Sequence, residues 1–356
     1  MEPLIPFIGR AHDAMARYDG LLSGIPNPSI FIAPMTTQEA TLSSKIEGTQ
    51  ATLGEVFQYE AGHEPKQLER RNDIIEILNY RRALKHAEHG LETRPFNLNL
   101  LKDLHAILLE GARGEDKARG EFRSSQNFIG KPGTKIDEAV FVPPSPMQLT
   151  EFLYNWEGYY HSADEPDVLV QLAVLHAQFE ILHPFLDGNG RLGRIIIPLF
   201  LYERKMLPMP VFYLSRYLET HRDEYYAKLR ALDNSAETWI DWISFFLRAV
   251  DEQGRQNCNL ARGIMKLYDE CKTSVNKNMH SQFAVPLLDS IFRQPVFTIS
   301  QISFEGNAPS TPALYQLVQS LVELGILKVV EEKSGRRPAR YAFAELVNKC
   351  EGRPVF

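Results

Sequence analysis

One run of twelve residues constrains this chain more than any other feature: His183-Pro184-Phe185-Leu186-Asp187-Gly188-Asn189-Gly190-Arg191-Leu192-Gly193-Arg194. Apolar residues dominate from about 166 to 182, enough for a buried helix. Proline disfavours helical geometry in the residue before it, so that helix should end at His183. Gly188-Asn189-Gly190 permits a tight turn in which successive N–H groups converge into an anion-binding nest. A second helix is expected from Arg191. Its N-terminus would aim unpaired N–H groups and a partial positive charge at the same loop.

The side chains of this run fit phosphate chemistry. His183 would lie at a helix C-terminus, where the negative dipole end favours an imidazolium once a proton is taken up. Arg191 and Arg194 are three apart and share a helix face, giving two guanidinium forks beside the nest. Asp187 offers one carboxylate, and one carboxylate plus substrate phosphates is how Mg²⁺ is usually held. Taken singly, each feature has a plain explanation: a structural histidine, an ordinary turn, a solvated helix face. Their coincidence within one loop carries the reading.

Around this segment the chain reads as mainly α-helical, in four stretches: 1–96, a core over 97–250, a connector helix over 251–279 and a small module over 280–356. Pro34 is expected to interrupt the chain, with a helix starting at Thr36-Thr37-Gln38-Glu39 and stopping at Gly48. Helices are expected over 66–89, 99–109, 147–161 and 166–182. Residues 119–146 hold Gly120, Gly130, Pro132, Gly133, Pro143, Pro144 and Pro146 and read as a loop or short hairpin, with Val140-Phe141-Val142 as its strand-like part. From 280 onward the order is helix, short strand at Val296-Phe297-Thr298, helix capped at Ser310 or Thr311, then a hairpin over Ile326–Glu331 and Arg340–Phe343. That is the order of a winged helix.

The 183–194 run resembles, without departure, the signature of the Fic family, H-P-F-x-[DE]-G-N-G-R-x-x-R. The resemblance covers roughly residues 30–250. It implies a helical core with a β-hairpin flap, and transfer of AMP from ATP to a Tyr, Thr or Ser hydroxyl of a protein. Under it His183 is the general base, Asp187 the Mg²⁺ ligand, and Gly188, Asn189 and Gly190 the anion hole. Arg191 and Arg194 hold the ATP phosphates, so the run Gly188 to Arg194, with Leu192 and Gly193, is the nucleotide-binding segment. Phe185 is packing that seats the loop. The flap around 127–144, with Phe141 and Val142, would align the target by strand pairing. Tyr225 and Tyr226 stand where relatives place tyrosine near adenosine. Ser43-Ser44-Lys45-Ile46-Glu47-Gly48 resembles the family's inhibitory motif, [ST]-x-x-x-E-[GN]. Glu47 would pair with Arg194 in place of the γ-phosphate, and Ser43, one turn earlier, would orient it. Dimers are common among such relatives.

Composition limits the alternatives. A formal net charge of −6 excludes a general nucleic-acid binder, so any basic patch is local. Lys333, Arg336, Arg337 and Arg340 form such a patch in the wing, but the helix from Thr311 to Leu324 carries no Lys or Arg. Protein contact or a structural role is therefore favoured over DNA. Three widely spaced cysteines, Cys258, Cys271 and Cys350, point to reduced thiols, no zinc site and a cytoplasmic setting. The N-terminus does not read as a signal peptide, and the most apolar run, Ile195–Leu201, falls far short of the roughly 20 residues that cross a bilayer. Two competing readings stay open: a winged-helix regulator with a nucleotide-sensing core, and transfer of UMP, phosphate or phosphocholine. An inhibitory acid opposite paired arginines suits a nucleoside triphosphate with a free γ-phosphate, which favours ATP.

Overall fold

A computed structural model describes residues 2–25, 27–130, 133, 135–233, 235–335 and 337–356, with Ser29 and Phe31 described by backbone only. Pro132 and Arg336, assigned above to the flap loop and the wing, lie outside the described residues. The chain is mainly helical, with one small sheet. In order come α1 (Ile5–Ser23), α2 (Pro28–Ile46), α3 (Leu53–Glu60), α4 (Leu68–Leu91), α5 (Leu98–Leu108), α6 (Pro146–His161), α7 (Val168–Leu182), α8 (Asn189–Glu203), α9 (Ser215–Thr220), α10 (Arg222–Ala231) and α11 (Ala236–Asn278). The C-terminal module follows as α12 (Ala284–Arg293), β1 (Val296–Thr298), α13 (Thr311–Glu323), β2 (Lys328–Glu331), β3 (Arg340–Ala342) and α14 (Ala344–Glu351).

Helix α7 is the axis of the core. It is apolar on nearly every side, so it must be surrounded. Asp167 caps it by accepting from the N–H groups of Leu169 and Val170. Trp156 of α6 and Trp242 of α11 donate their indole N–H to the carbonyls of Leu175 and Ala173, at 3.0 and 2.8 Å. Helices α6, α8 and α11 thus grip α7 through both apolar area and satisfied polar tips. The last turn of α7 and the first of α8 meet at the 183–188 loop.

Two expected helix starts are corrected. Helix α2 begins at Pro28, not Thr36, and Pro34 lies within it. Proline removes one ladder hydrogen bond, but Ile30, Met35, Ala40 and Ile46 of this helix are buried, and tertiary packing outweighs the local penalty. The flap keeps to the loop or short hairpin expected: among the described residues Ile129 and Phe141 form an antiparallel bridge. Helix α8 starts at Asn189, two residues early, because Gly188 as its N-cap takes a left-handed φ of 78°.

The connector expected over 251–279 is the second half of the 43-residue α11, continuous with the core. The module's sheet runs β1-β3-β2, antiparallel, and α14 is an additional helix. This module packs directly on the N-terminal elements. Helices α12 and α14 touch α2, β1 touches α3, and Gln301 donates to the carbonyl of Glu60 at 2.6 Å. Among the described residues, no helix is long and apolar enough to cross a membrane.

Candidate active site

His183 is the C-cap of α7 in a left-handed conformation, φ 45° and ψ 59°. A non-glycine residue there is uncommon and is held by its surroundings. The holding group is Arg123, almost fully buried. Its Nε donates to the His183 carbonyl at 3.0 Å and its Nη2 to the carbonyls of Pro144 at 2.5 Å and Leu182 at 3.3 Å. Its own N–H donates to Pro184. One guanidinium therefore ties the end of α7, the catalytic loop and the root of the flap. Replacing Arg123 by alanine leaves three carbonyls without their charged donor. The expected cost is about 3 kcal/mol of stability, read as a lowered midpoint in denaturant or thermal unfolding; an unchanged midpoint refutes the tie.

The His183 ring is oriented through Nδ1, 3.4 Å from the Glu180 carbonyl. With the proton on Nδ1, Nε2 keeps a free lone pair. Burial lowers the imidazole pKa to about 4, so the ring is neutral at pH 7.

The loop itself is stapled from within. Asn189 accepts from Phe185 N–H at 2.9 Å and donates to Phe185 C=O at 2.8 Å. Its side chain thus shapes the nest rather than facing a ligand. Phe185 is fully buried and stacks on His105, with ring centroids 3.8 Å apart. His105 accepts from Gly120 N–H at Nδ1, which leaves Nε2–H to donate to the Asp187 carbonyl at 3.0 Å. Asp187 Oδ1 accepts from Gly188 N–H at 2.6 Å, while its Oδ2 accepts no hydrogen bond from the described residues.

The two arginines part company. Arg194, almost fully buried, donates from Nη2 to Glu47 Oε1 at 2.6 Å and to the Ser43 carbonyl at 3.0 Å, and from Nε to Ser43 Oγ at 2.8 Å. A methyl group built on Gly190 would fall on Glu47 Oε1, so the Glu47 carboxylate sits directly over the nest. Burial alone would raise the Glu47 carboxyl; Arg194 more than reverses this and holds it below the usual range. Arg191 turns the other way. Its Nη1 meets Glu76 of α4 at 2.9 Å, with both side chains buried, and its Nη2 lies 3.5 Å from Asp187 Oδ1. The shared helix face expected for these arginines is therefore divided between two acids.

Helix α2 reaches the nest because its middle is fixed. Glu39, two turns before Glu47, is buried and accepts from Ser215 Oγ at 2.6 Å and Tyr80 OH at 3.3 Å. Burial pushes its carboxyl up to about 7.

Beside the nest lies a cavity of about 340 Å³. The flap supplies Ile129, Gly130, Val140 and Phe141, α7 supplies Glu180 and Ile181, and α10 supplies Asp223, Tyr226, Leu229 and Arg230. Tyr226 lines this cavity. Tyr225 does not; it is buried, bonded to His176 at 2.9 Å and packed against Trp242. On the flap, Ile129, Ile136, Val140 and Val142 are exposed. Arg123, His105 and Glu76 escaped the sequence reading. His105 alone left a trace, as a polar residue on the apolar face of its helix.

Two family models match this chain: the Fic/DOC family N-terminal region over residues 5–89 and the Fic/DOC family over residues 95–201. A probable protein adenylyltransferase of Aquifex aeolicus is 22% identical over 310 residues, 85% of this chain and 84% of its own length. A protein adenylyltransferase of Caenorhabditis briggsae is 27% identical over 228 residues, 62% of this chain and 40% of its own length, so the chain spans less than half of that relative. The crystal structure of a Fic family protein from Desulfovibrio desulfuricans is 17% identical, with a TM-score of 0.60 over 96% of both chains; that likeness is one of fold.

Proposed function

This chain belongs to the Fic/DOC family, and on that premise we propose that it transfers AMP from ATP to a hydroxyl of a target protein, under restraint by its own Glu47. One observation carries the reading: Glu47 lies over the nest of α8, clasped by Arg194, beside a histidine with a free ring nitrogen. A buried arginine facing an amide nest suits a phosphate, and the carboxylate there stands in for one.

In the proposed step, His183 Nε2 takes the proton of the target hydroxyl. The hydroxyl oxygen bonds to the α-phosphorus, and the bond from that phosphorus to the bridging oxygen of pyrophosphate breaks. The N–H groups of the α8 first turn and the Arg194 guanidinium receive phosphate charge once Glu47 withdraws. Arg191, held by Glu76, anchors α8 and acts on the site through Asp187. Asp187 fits Mg²⁺, since its Oδ2 accepts no hydrogen bond from the described residues, and a bound Mg²⁺ would neutralise phosphate charge there. The exposed apolar side chains and single bridge of the flap leave backbone and surface for an extended target segment to pair.

The C-terminal module acts as a support for α2 in this reading. Arg340 is engaged by Glu331, and α13 carries no Lys or Arg, which favours protein contact or a structural role over DNA. The three buried thiols suit a reducing compartment such as the cytoplasm. Mass spectrometry of Glu47→Gly protein incubated with ATP and Mg²⁺ tests the reaction. A gain of one AMP is expected. A gain of phosphate alone, or no gain with any supplied target, overturns AMP transfer.

A further inference from the structure

One carboxyl in the site has no part in the step above. Glu180 lies on α7, one turn before His183, and its Oε1 is buried with no hydrogen-bond partner among the described residues. Such a group is costly and calls for a physical explanation. The fold makes room for it: a methyl built on Gly193 would fall on Glu180 Oε1, so only glycine at 193 admits this carboxyl. The nearest cation, Arg194, is already bound to Glu47 and Ser43. Burial raises the Glu180 carboxyl to about 7 even with Arg194 near.

Glu180 also lines the cavity beside the nest, with Val140 and Phe141 of the flap, Ile181, Tyr226 and Leu229 as apolar neighbours and Asp223 and Arg230 of α10 as charged ones. With phosphates on the nest, the remainder of a nucleotide has this cavity to enter. The apolar side chains suit a ring face, and a buried acceptor without a partner among the described residues selects for a donor. We infer that Glu180 is a specificity-determining residue whose carboxyl accepts a hydrogen bond from the nucleoside half of ATP, from a ribose hydroxyl or the exocyclic amine of the base. This inference rests on the adenylyltransferase reading.

Equilibrium binding tests it without requiring transfer. Full-length Glu47→Gly protein, with and without Glu180→Ala, is titrated with ATP, 2′-deoxy-ATP, 3′-deoxy-ATP and purine riboside triphosphate, which lacks the amine. Glu180→Ala is expected to weaken ATP binding about 10-fold or more, and to leave unchanged the analogue that lacks the partnering donor. That analogue identifies the source. Glu180→Gln, which keeps an acceptor oxygen, should restore most of the discrimination. A purely structural role predicts a lower melting temperature for Glu180→Ala, whereas removal of an unpartnered buried carboxyl predicts an unchanged or higher one. Equal affinities of the parent and Glu180→Ala for all four nucleotides, or an equal loss for all four, overturn the inference. Discrimination that depends on Glu180 without any AMP incorporation would instead overturn the transfer reading alone. Absence of nucleotide binding in the parent would overturn both.

Discussion

Glu47→Gly is expected to raise the initial rate of AMP incorporation about 10- to 100-fold at sub-saturating ATP. The estimate follows from the pair it removes. Two unit charges about 4 Å apart at an effective dielectric near 20 attract by about 4 kcal/mol before desolvation. Competition with ATP feels only the part left after desolvation, and about 1.4 kcal/mol corresponds to each tenfold change. The Glu47–Arg194 contact is 2.6 Å long and almost dry on the arginine side, which places it among the stronger pairs. Incorporation of α-labelled ATP by parent and variant measures the effect, and equal rates would remove Glu47 as a brake. Glu47→Gln separates charge from bulk, since glutamine still covers Gly190 but no longer neutralises Arg194. The carboxyl is held below its ordinary range, so the pair is intact above that range and lost only as pH falls through the lowered value. The difference between parent and variant should therefore persist across neutral pH.

The proposed brake is also connected to the rest of the molecule. Helix α2 carries Ser43, has Glu47 as its C-cap and is covered elsewhere by α12 and α14 of the C-terminal module. Arg216 of α9 donates to the Cys350 carbonyl at 3.1 Å, joining core and module beside the same helix. Withdrawal of Glu47 must either bend α2 beyond Glu39 or move those contacts. The fixed middle of α2 favours a local release of its last turn, where Gly48 follows immediately.

Why some of this was legible in the sequence, and some not, is a matter of distance along the chain. The loop from His183 to Arg194 keeps its chemistry contiguous, so spacing alone exposes the turn, the nest and the helix start. The pairing of Glu47 and Ser43 with Arg194 needs only one helical turn on their side, Ser43 to Glu47. Arg123, His105 and Glu76 act on this loop from remote segments, and nothing local marks a buried arginine as a loop anchor. Arg191 shows the reverse error: helical spacing put it beside Arg194, but Glu76, 115 positions earlier, turns it inward. Pro34 misled because a local breaker signal was outweighed by burial on both sides of it.

His183→Ala should lower AMP transfer by about 10²–10⁴-fold while leaving nucleotide binding nearly intact. The reason is positional. In the proposed step the nest and Arg194 would hold the phosphates, with Asp187 acting through Mg²⁺, and none of them depends on the imidazole for its own hydrogen bonds. The ring's one recorded bond is to its own helix, at the Glu180 carbonyl. A transfer rate matching the parent would remove His183 as the base; lost nucleotide binding would make it a structural residue. The pH dependence gives a second, independent reading. A base works when neutral, so the rate should stay level on the alkaline side and fall as protons bind the ring. Burial lowers the His183 pKa to about 4, whereas Glu47 raises it slightly. In the Glu47→Gly background the acid limb should therefore lie well below pH 6.5, the ordinary value for an exposed imidazole. A limb at 6.5 would mean that the ring turns to water before the hydroxyl arrives, and that its buried pose belongs only to the restrained enzyme.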